Sequence, residues 1–163
     1  MGGKLLGGRR VMEEEAHQIV QEFLSPYNHL VMRHMLCGSI RRKKEDAGDI
    51  DLVITADKKN RMMLNIAIQK DYGAPWDHAR KTILFEGVQL EVHICLPEYE
   101  GAMWLYATGS GGYNSGLRLT AAQMGLKLNR YGLWHGQERI AGKTEEEIYE
   151  RLRERFVRPE DRR

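Results

Sequence analysis

Cysteine is scarce in this chain of 163 residues, and so is any excess of one charge. Two thiols, Cys37 and Cys95, are too few for a disulfide scaffold and lack metal-ligand spacing, so they read as reduced cysteines of a cytosolic protein. Lys and Arg number 25 against 23 Asp and Glu, a net charge of +2. That balance excludes a polybasic tail protein and leaves a local basic groove open. No apolar run approaches the roughly 20 residues that a membrane span needs. Met1-Gly2-Gly3-Lys4-Leu5-Leu6 carries neither a signal-peptide core nor the hydroxyl residue that a myristoylation signal wants at position 6. These absences predict a soluble, cytoplasmic protein with no membrane partner.

What is present suits one compact domain, or a domain with a small lobe attached. A chain of this length buries roughly two-thirds of its unfolded surface and needs no staples. Residues 9–24 predict an amphipathic helix through Met12, Ala16, Ile19, Val20 and Phe23, ended by Ser25-Pro26. Residues 30–37 predict a buried strand stopping at Gly38-Ser39, and 49–55 a second strand. Residues 58–69 predict a helix with Met62, Leu64, Ile66 and Ala67 partly buried. Lys81 to Phe85 and Val88 to Cys95 predict a hairpin about Glu86-Gly87, with Gln89, Glu91, His93 and Cys95 on one face of its second strand. Beyond Pro97 the pattern turns helical, over about 98–107 and 112–124. A small hairpin follows near 126–141, then a helix opening at Thr144-Glu145-Glu146-Glu147 and running to about Arg155. The expected fold is α+β: a mixed sheet with flanking helices over 1–97, and a smaller, mostly helical lobe over 98–163.

Asp49 and Asp51 stand two apart on a predicted strand, so both leave the same face. Adjacent carboxylates repel unless a cation lies between them. Gly38-Ser39 lies upstream at a strand end and offers backbone N–H groups and a hydroxyl to an anion, and Arg41 and Arg42 add charge suited to phosphate. A phosphate binder beside a metal binder is what phosphoryl transfer requires. Glu91, acidic and on the polar face of a neighbouring strand, is the candidate third carboxylate. His93 shares that face, where a supporting or merely exposed role fits better than ligation.

Three segments carry a family resemblance. Gly38-Ser39-Ile40-Arg41-Arg42 with Asp49-Ile50-Asp51 resembles the signature of the family X DNA polymerases, within the nucleotidyltransferase superfamily. Leu105-Tyr106-Ala107-Thr108-Gly109-Ser110 through Asn114 to Arg118 resembles the family's Tyr-Phe-Thr-Gly-Ser segment, and Leu126 to Leu133 with Arg139 to Tyr149 resembles its terminal segment. The resemblance runs over about residues 35–163 and implies a catalytic palm followed by a nucleotide-holding lobe, similar to the small viral member of the family. It implies two Mg²⁺ ions, Mn²⁺ being an alternative, on Asp49, Asp51 and Glu91. It implies triphosphate and sugar contacts from Gly38, Ser39, Arg42, Gly48, Tyr106, Ala107, Gly109 and Asn114, with a cis Gly109–Ser110 peptide. Arg118, with Asn114, would meet the nascent base pair, and Lys127, Arg130, Arg80 and Lys81 are candidates for DNA phosphates. Three departures stand out: Glu91 where the family usually has Asp, Ala107 in place of an aromatic, and Gly111 in place of a larger residue. The expected function is gap filling on a primer-template or gapped duplex with deoxynucleoside triphosphates, by a monomer, in DNA repair. The alternatives are a template-independent nucleotidyltransferase acting on nucleic-acid ends, protein or a small molecule, and a catalytically dead nucleic-acid-binding subunit.

Overall fold

The computed structural model describes residues 8–73 and 80–163. Helix α1 spans Glu13–Leu24 and buries Ala16, Ile19, Val20, Phe23 and Leu24 along one side. It starts later than the periodicity predicts, because residues before it are extended. Val11 exchanges two backbone hydrogen bonds with Ala47, at 2.9 and 2.8 Å, and Arg10 pairs with Asp46 at 2.7 Å. Ser25-Pro26 does end the α-helix, but the chain continues as a 3-10 turn over Ser25–Leu30, since proline is tolerated in a first helical turn.

A four-stranded mixed sheet holds strands β1 (Arg33–Leu36), β2 (Asp49–Thr55), β3 (Arg80–Phe85) and β4 (Val88–Cys95) in the order β1-β2-β4-β3. β2 runs parallel to β4, and the other two pairings are antiparallel. The strand predicted as buried over 30–37 is shorter and lies at the sheet edge, with Arg33 and His34 exposed. Helix α3 (Lys58–Tyr72) is capped by Asp57, whose side chain accepts from the Asn60 N–H at 2.8 Å, and ends at Gly73 with φ +60°. Its buried residues are Leu64, Asn65 and Ile68, so Met62 and Ile66, two positions off that stripe, turn outward at 59% and 61% exposure.

The second lobe comprises α4 (Glu100–Thr108), α5 (Gly111–Gln123), a three-stranded antiparallel sheet of β5 (Lys127–Asn129), β6 (Gly132–His135) and β7 (Glu138–Ala141), and α6 (Glu145–Arg151). α4 meets the start of α6 at Gly101, where any added side chain would strike the Thr144 backbone. Thr144 caps α6 by accepting from the Glu147 N–H at 3.1 Å. The helix stops short of Arg155 because Arg153 adopts φ +57°. The chain stays packed beyond Arg158-Pro159, and Arg162 is 1% exposed.

Two apolar clusters divide the sheet between them. One face, through Ile50, Leu52, Ile54, Leu90, Val92 and Ile94, packs on α1 and α3. On the other face Val53 and Cys95 join Cys37 with α4 and α6. Cys37 and Cys95 are both free thiols, pushed up to about 12 by burial. Among the described residues no helix is long and apolar enough to cross a membrane.

Candidate active site

The cover on the second face of the sheet stops where the carboxylates begin. Strand alternation brings Asp49, Asp51 and Val53 to that face, and the parallel register sets Glu91 directly beside Asp51 and Gln89 beside Asp49. From the opposite side, the antiparallel register sets Thr82 beside Glu91. A cleft of about 860 Å³ opens here. The first lobe lines it with Gly38, Ser39, Arg42, Asp49, Asp51, Arg80, Glu91 and His93. The second lobe contributes residues 106–111 together with Asn114, Arg118, Arg130 and Tyr131.

Asp49 is held above the ordinary carboxylate value, first by burial and then by the charges of Asp51 and Glu91. Repulsion that Arg80 and Arg10 offset only in part, in an all-oxygen donor set, fits a hard divalent cation. Yet among the described residues no three His, Cys, Asp or Glu side chains are gathered as a ready cage. Glu91, 4% exposed, has its carboxylate bonded to Thr82 and Gln89. Asp49 and Asp51, two half-buried carboxylates on one face, fit such a cation.

Gly38 starts a single helical turn, α2 (Gly38–Arg41), with φ +58°. A Cβ there would run into the Asp51 carboxylate, so glycine is required by both conformation and space. The Cys37 N–H donates to the Asp51 carbonyl at 2.7 Å, which locks this turn to β2. The two arginines separate in role. Arg42 lines the cleft and donates to the Thr108 carbonyl. Arg41 turns away from it, donating to the Thr108 hydroxyl at 2.8 Å and to Glu145 at 2.5 Å, so the expectation that it serves phosphate is corrected.

The segment from the second lobe is fixed at both ends. The Gly109–Ser110 peptide is cis, and Ser110 caps α5 by accepting from the Tyr113 N–H at 3.2 Å. Asn114 donates to the Tyr106 carbonyl at 3.0 Å, which leaves its buried Oδ1 without a partner among the described residues. The Arg130 guanidinium lies 4.5 Å over the Tyr106 ring, and Arg118 extends along α5, donating to Ser115 at 3.0 Å. His93 is not exposed: it is 2% accessible, with Nε2 3.8 Å from Asp51 Oδ1.

Most of the sequence-predicted residues therefore meet in one cleft, while Arg41 and three others do not. Lys81 faces the opposite side of β3, opposite Val92, and is 3% exposed, so burial removes it from the candidates for DNA phosphate. A two-residue turn pairs Phe85 with Val88 and hence Lys81 with Val92, a register that would have revealed this. Lys127 is exposed on β5 outside the cleft lining, and Gly48 is half-buried in the turn before β2, also outside it. Sequence reasoning missed Thr82, Gln89 and Thr108, whose roles come from cross-strand and interlobe contacts.

The comparisons with known proteins agree with this geometry. Residues 9–83 match the DNA polymerase beta palm family, and residues 103–163 match the DNA polymerase beta thumb family. The chain belongs to the family X DNA polymerases. It is 25% identical to repair DNA polymerase X of African swine fever virus, across 91% of this chain and 92% of that one. DNA polymerase IV of Saccharomyces cerevisiae is 34% identical over 74 residues, 45% of this chain and 13% of the yeast protein. The crystal structure of Leishmania infantum polymerase beta in a ternary P/T complex superimposes with a TM-score of 0.77 at 14% identity, covering 95% of this chain and 77% of that one. Family X therefore accounts for both lobes, the first as palm and the second as thumb.

Proposed function

We propose that this chain is a template-directed DNA polymerase that fills short gaps in repair, joining a deoxynucleoside triphosphate to a primer 3′-hydroxyl with release of pyrophosphate. The observation that carries the reading is the meeting of two unlike sets of groups across one cleft. Asp49, Asp51 and Glu91 stand on the sheet side, and Asn114 and Arg118 on the α5 side. A transferase without a template needs the first set only. The swine fever virus relative, named as a repair polymerase, supports the repair setting.

Asp49, Asp51 and Glu91 hold two Mg²⁺ ions in this reading, Mn²⁺ substituting, which supply Lewis acidity at the triphosphate and at the 3′-hydroxyl. Ser39 and Arg42 bind the β- and γ-phosphates. Arg42 does so from a position already fixed by the Thr108 carbonyl, which limits the entropy lost on binding. Residues 106–109 border the sugar, and the small Ala107 side chain gives little steric rejection of a ribose. The free Oδ1 of Asn114 and the Arg118 guanidinium meet the minor-groove edges of the nascent pair, and Arg80 and Arg130 take DNA phosphates. The chain acts as a monomer.

Extension of a primer across a one-nucleotide gap tests this, with each triphosphate supplied singly and with Mg²⁺ or Mn²⁺. Incorporation that follows the template base supports the reading. Template-blind tailing overturns the templated form, and no incorporation with either metal overturns the enzyme.

A further inference from the structure

Glu91 has both carboxylate oxygens occupied. Oε1 accepts from Gln89 Nε2 at 2.9 Å and Oε2 from Thr82 Oγ1 at 3.0 Å, with Arg80 Nε 3.6 Å from Oε2. The sheet register explains the choice open to this side chain. Thr82 lies beside Glu91 on one side and Asp51 beside it on the other, all at one level of the sheet. Glu91 therefore stands between a row of donors and a row of carboxylates, and like charge turns it toward the donors. A glutamate has one more rotatable bond than an aspartate, which gives the carboxylate the reach to change sides without moving the strand.

We infer that Thr82 and Gln89 are positioning residues that hold Glu91 in a parked orientation, so that the third carboxylate is recruited to the cation. This rests on the polymerase reading above, in which Glu91 is a metal ligand. Parking lessens, without removing, the repulsion around Asp49 and Asp51 in the metal-free protein. It also opposes cation binding, because a hydrogen bond to a charged acceptor must be given up when Glu91 turns. Thr82 thus acts against metal affinity, the reverse of a residue that preorganises a ligand.

Direct Mn²⁺ binding separates the two roles. Free Mn²⁺ is followed by electron paramagnetic resonance as it is added to the protein bound to a gapped duplex with a 3′-deoxy primer end and the matching triphosphate. Thr82→Val keeps the shape and β-branch but loses the donor, and it should tighten Mn²⁺ binding by about tenfold, the scale of one charged hydrogen bond. Thr82→Ser restores the donor and should return the affinity to the wild-type value. Thr82→Ala provides a second donor-less variant should valine disturb the strand, with circular dichroism confirming the fold of each. Mn²⁺ binding that is unchanged or weaker in both donor-less variants overturns the parked orientation. Wild-type Mn²⁺ binding that Asp49→Asn leaves untouched overturns instead the site reading on which the inference rests.

Discussion

Replacing Glu145 by alanine isolates the buried charge network that ties the two lobes together. Glu145 is 3% exposed; Oε1 accepts from Arg41 at 2.5 Å and Oε2 from Arg162 at 2.6 Å. Arg162 is left with a bond from Nε to the Val157 carbonyl at 2.9 Å and with the rings of Tyr149 and Phe156, 5.7 and 5.3 Å away. Arg41 keeps the Thr108 hydroxyl and the face of Trp104. Removing one partner of a buried pair costs about 3–5 kcal/mol, because the remaining charge stays desolvated. The Arg41 side chain retains 16% exposure and can recruit water, so the lower end of that range, about 3 kcal/mol, applies. For a chain of this size that is a fall in Tm of about 6–12 °C. Denaturant unfolding and calorimetry on Glu145→Ala measure it. Glu145→Gln, which keeps one carbonyl acceptor, should lose less, and the exposed neighbour Glu146→Ala should stay within about 0.5 kcal/mol of wild type. A loss below about 1 kcal/mol in Glu145→Ala would show that Arg162 is solvated by other means.

Other residues give equally direct tests. Asp49→Asn should cut incorporation at least about a hundredfold, since a shared ligand is lost, yet it should raise or preserve Tm in EDTA because it removes the charge that burial and then the neighbouring carboxylates disfavour. The pH sign follows. With its folded value raised, Asp49 favours the folded state most at acid pH, below its unfolded value of 3.8, and that contribution is lost as pH rises through the folded value. In metal-free unfolding the variant should therefore lose this part of the pH slope, and identical slopes would remove Asp49 from the cluster. Gly38→Ala should lose both stability and nucleotide incorporation, because the added methyl meets the Asp51 carboxylate at a left-handed φ. A fully active Gly38→Ala refutes that packing. Arg118→Ala should blur selection of the template base while leaving Tm near wild type. If all four nucleotides change equally on every template, Arg118 does not read the pair.

Those parts of the fold that depend on local rules were legible in the chain. Alternation along β2 and β4 put Asp49, Asp51 and Glu91 on one face, and the two-residue turn at Glu86-Gly87 set the hairpin. The Thr144 cap and the helices flanking Gly109 likewise follow from nearby residues. What failed was whatever depended on distant partners. Arg41 and Arg42 are indistinguishable as a dipeptide, and Thr108 and Glu145, the latter 104 residues on, withdraw the first from the cleft. Met62 and Ile66 look like core, but the stripe that meets the sheet runs through Leu64 and Ile68. His93 and Glu91 looked like an open polar face, whereas both are buried, Glu91 beside Thr82 of β3 and His93 against the Tyr106 ring of α4.

The position of the chemistry follows from how one sheet serves two cores. The first face is closed along its whole length by α1 and α3, so β2 and β4 cannot shift without breaking that cluster. The second face is closed at only one end, where α4 rests on Val53 and Cys95. Asp49 and Asp51 are only half-buried at that end, where water or a cation can reach them, and Glu91, buried beside them, is satisfied by Thr82 and Gln89. The helix that closes the apolar end also runs out into Thr108 and Gly109, so the boundary of the core and the loop that borders the nucleotide site are set by one element. Thr108 then receives both Arg41 and Arg42, one on its hydroxyl and one on its carbonyl. In this way packing, rather than any bond between the carboxylates themselves, fixes the distance between the acidic wall of the cleft and the groups that face it.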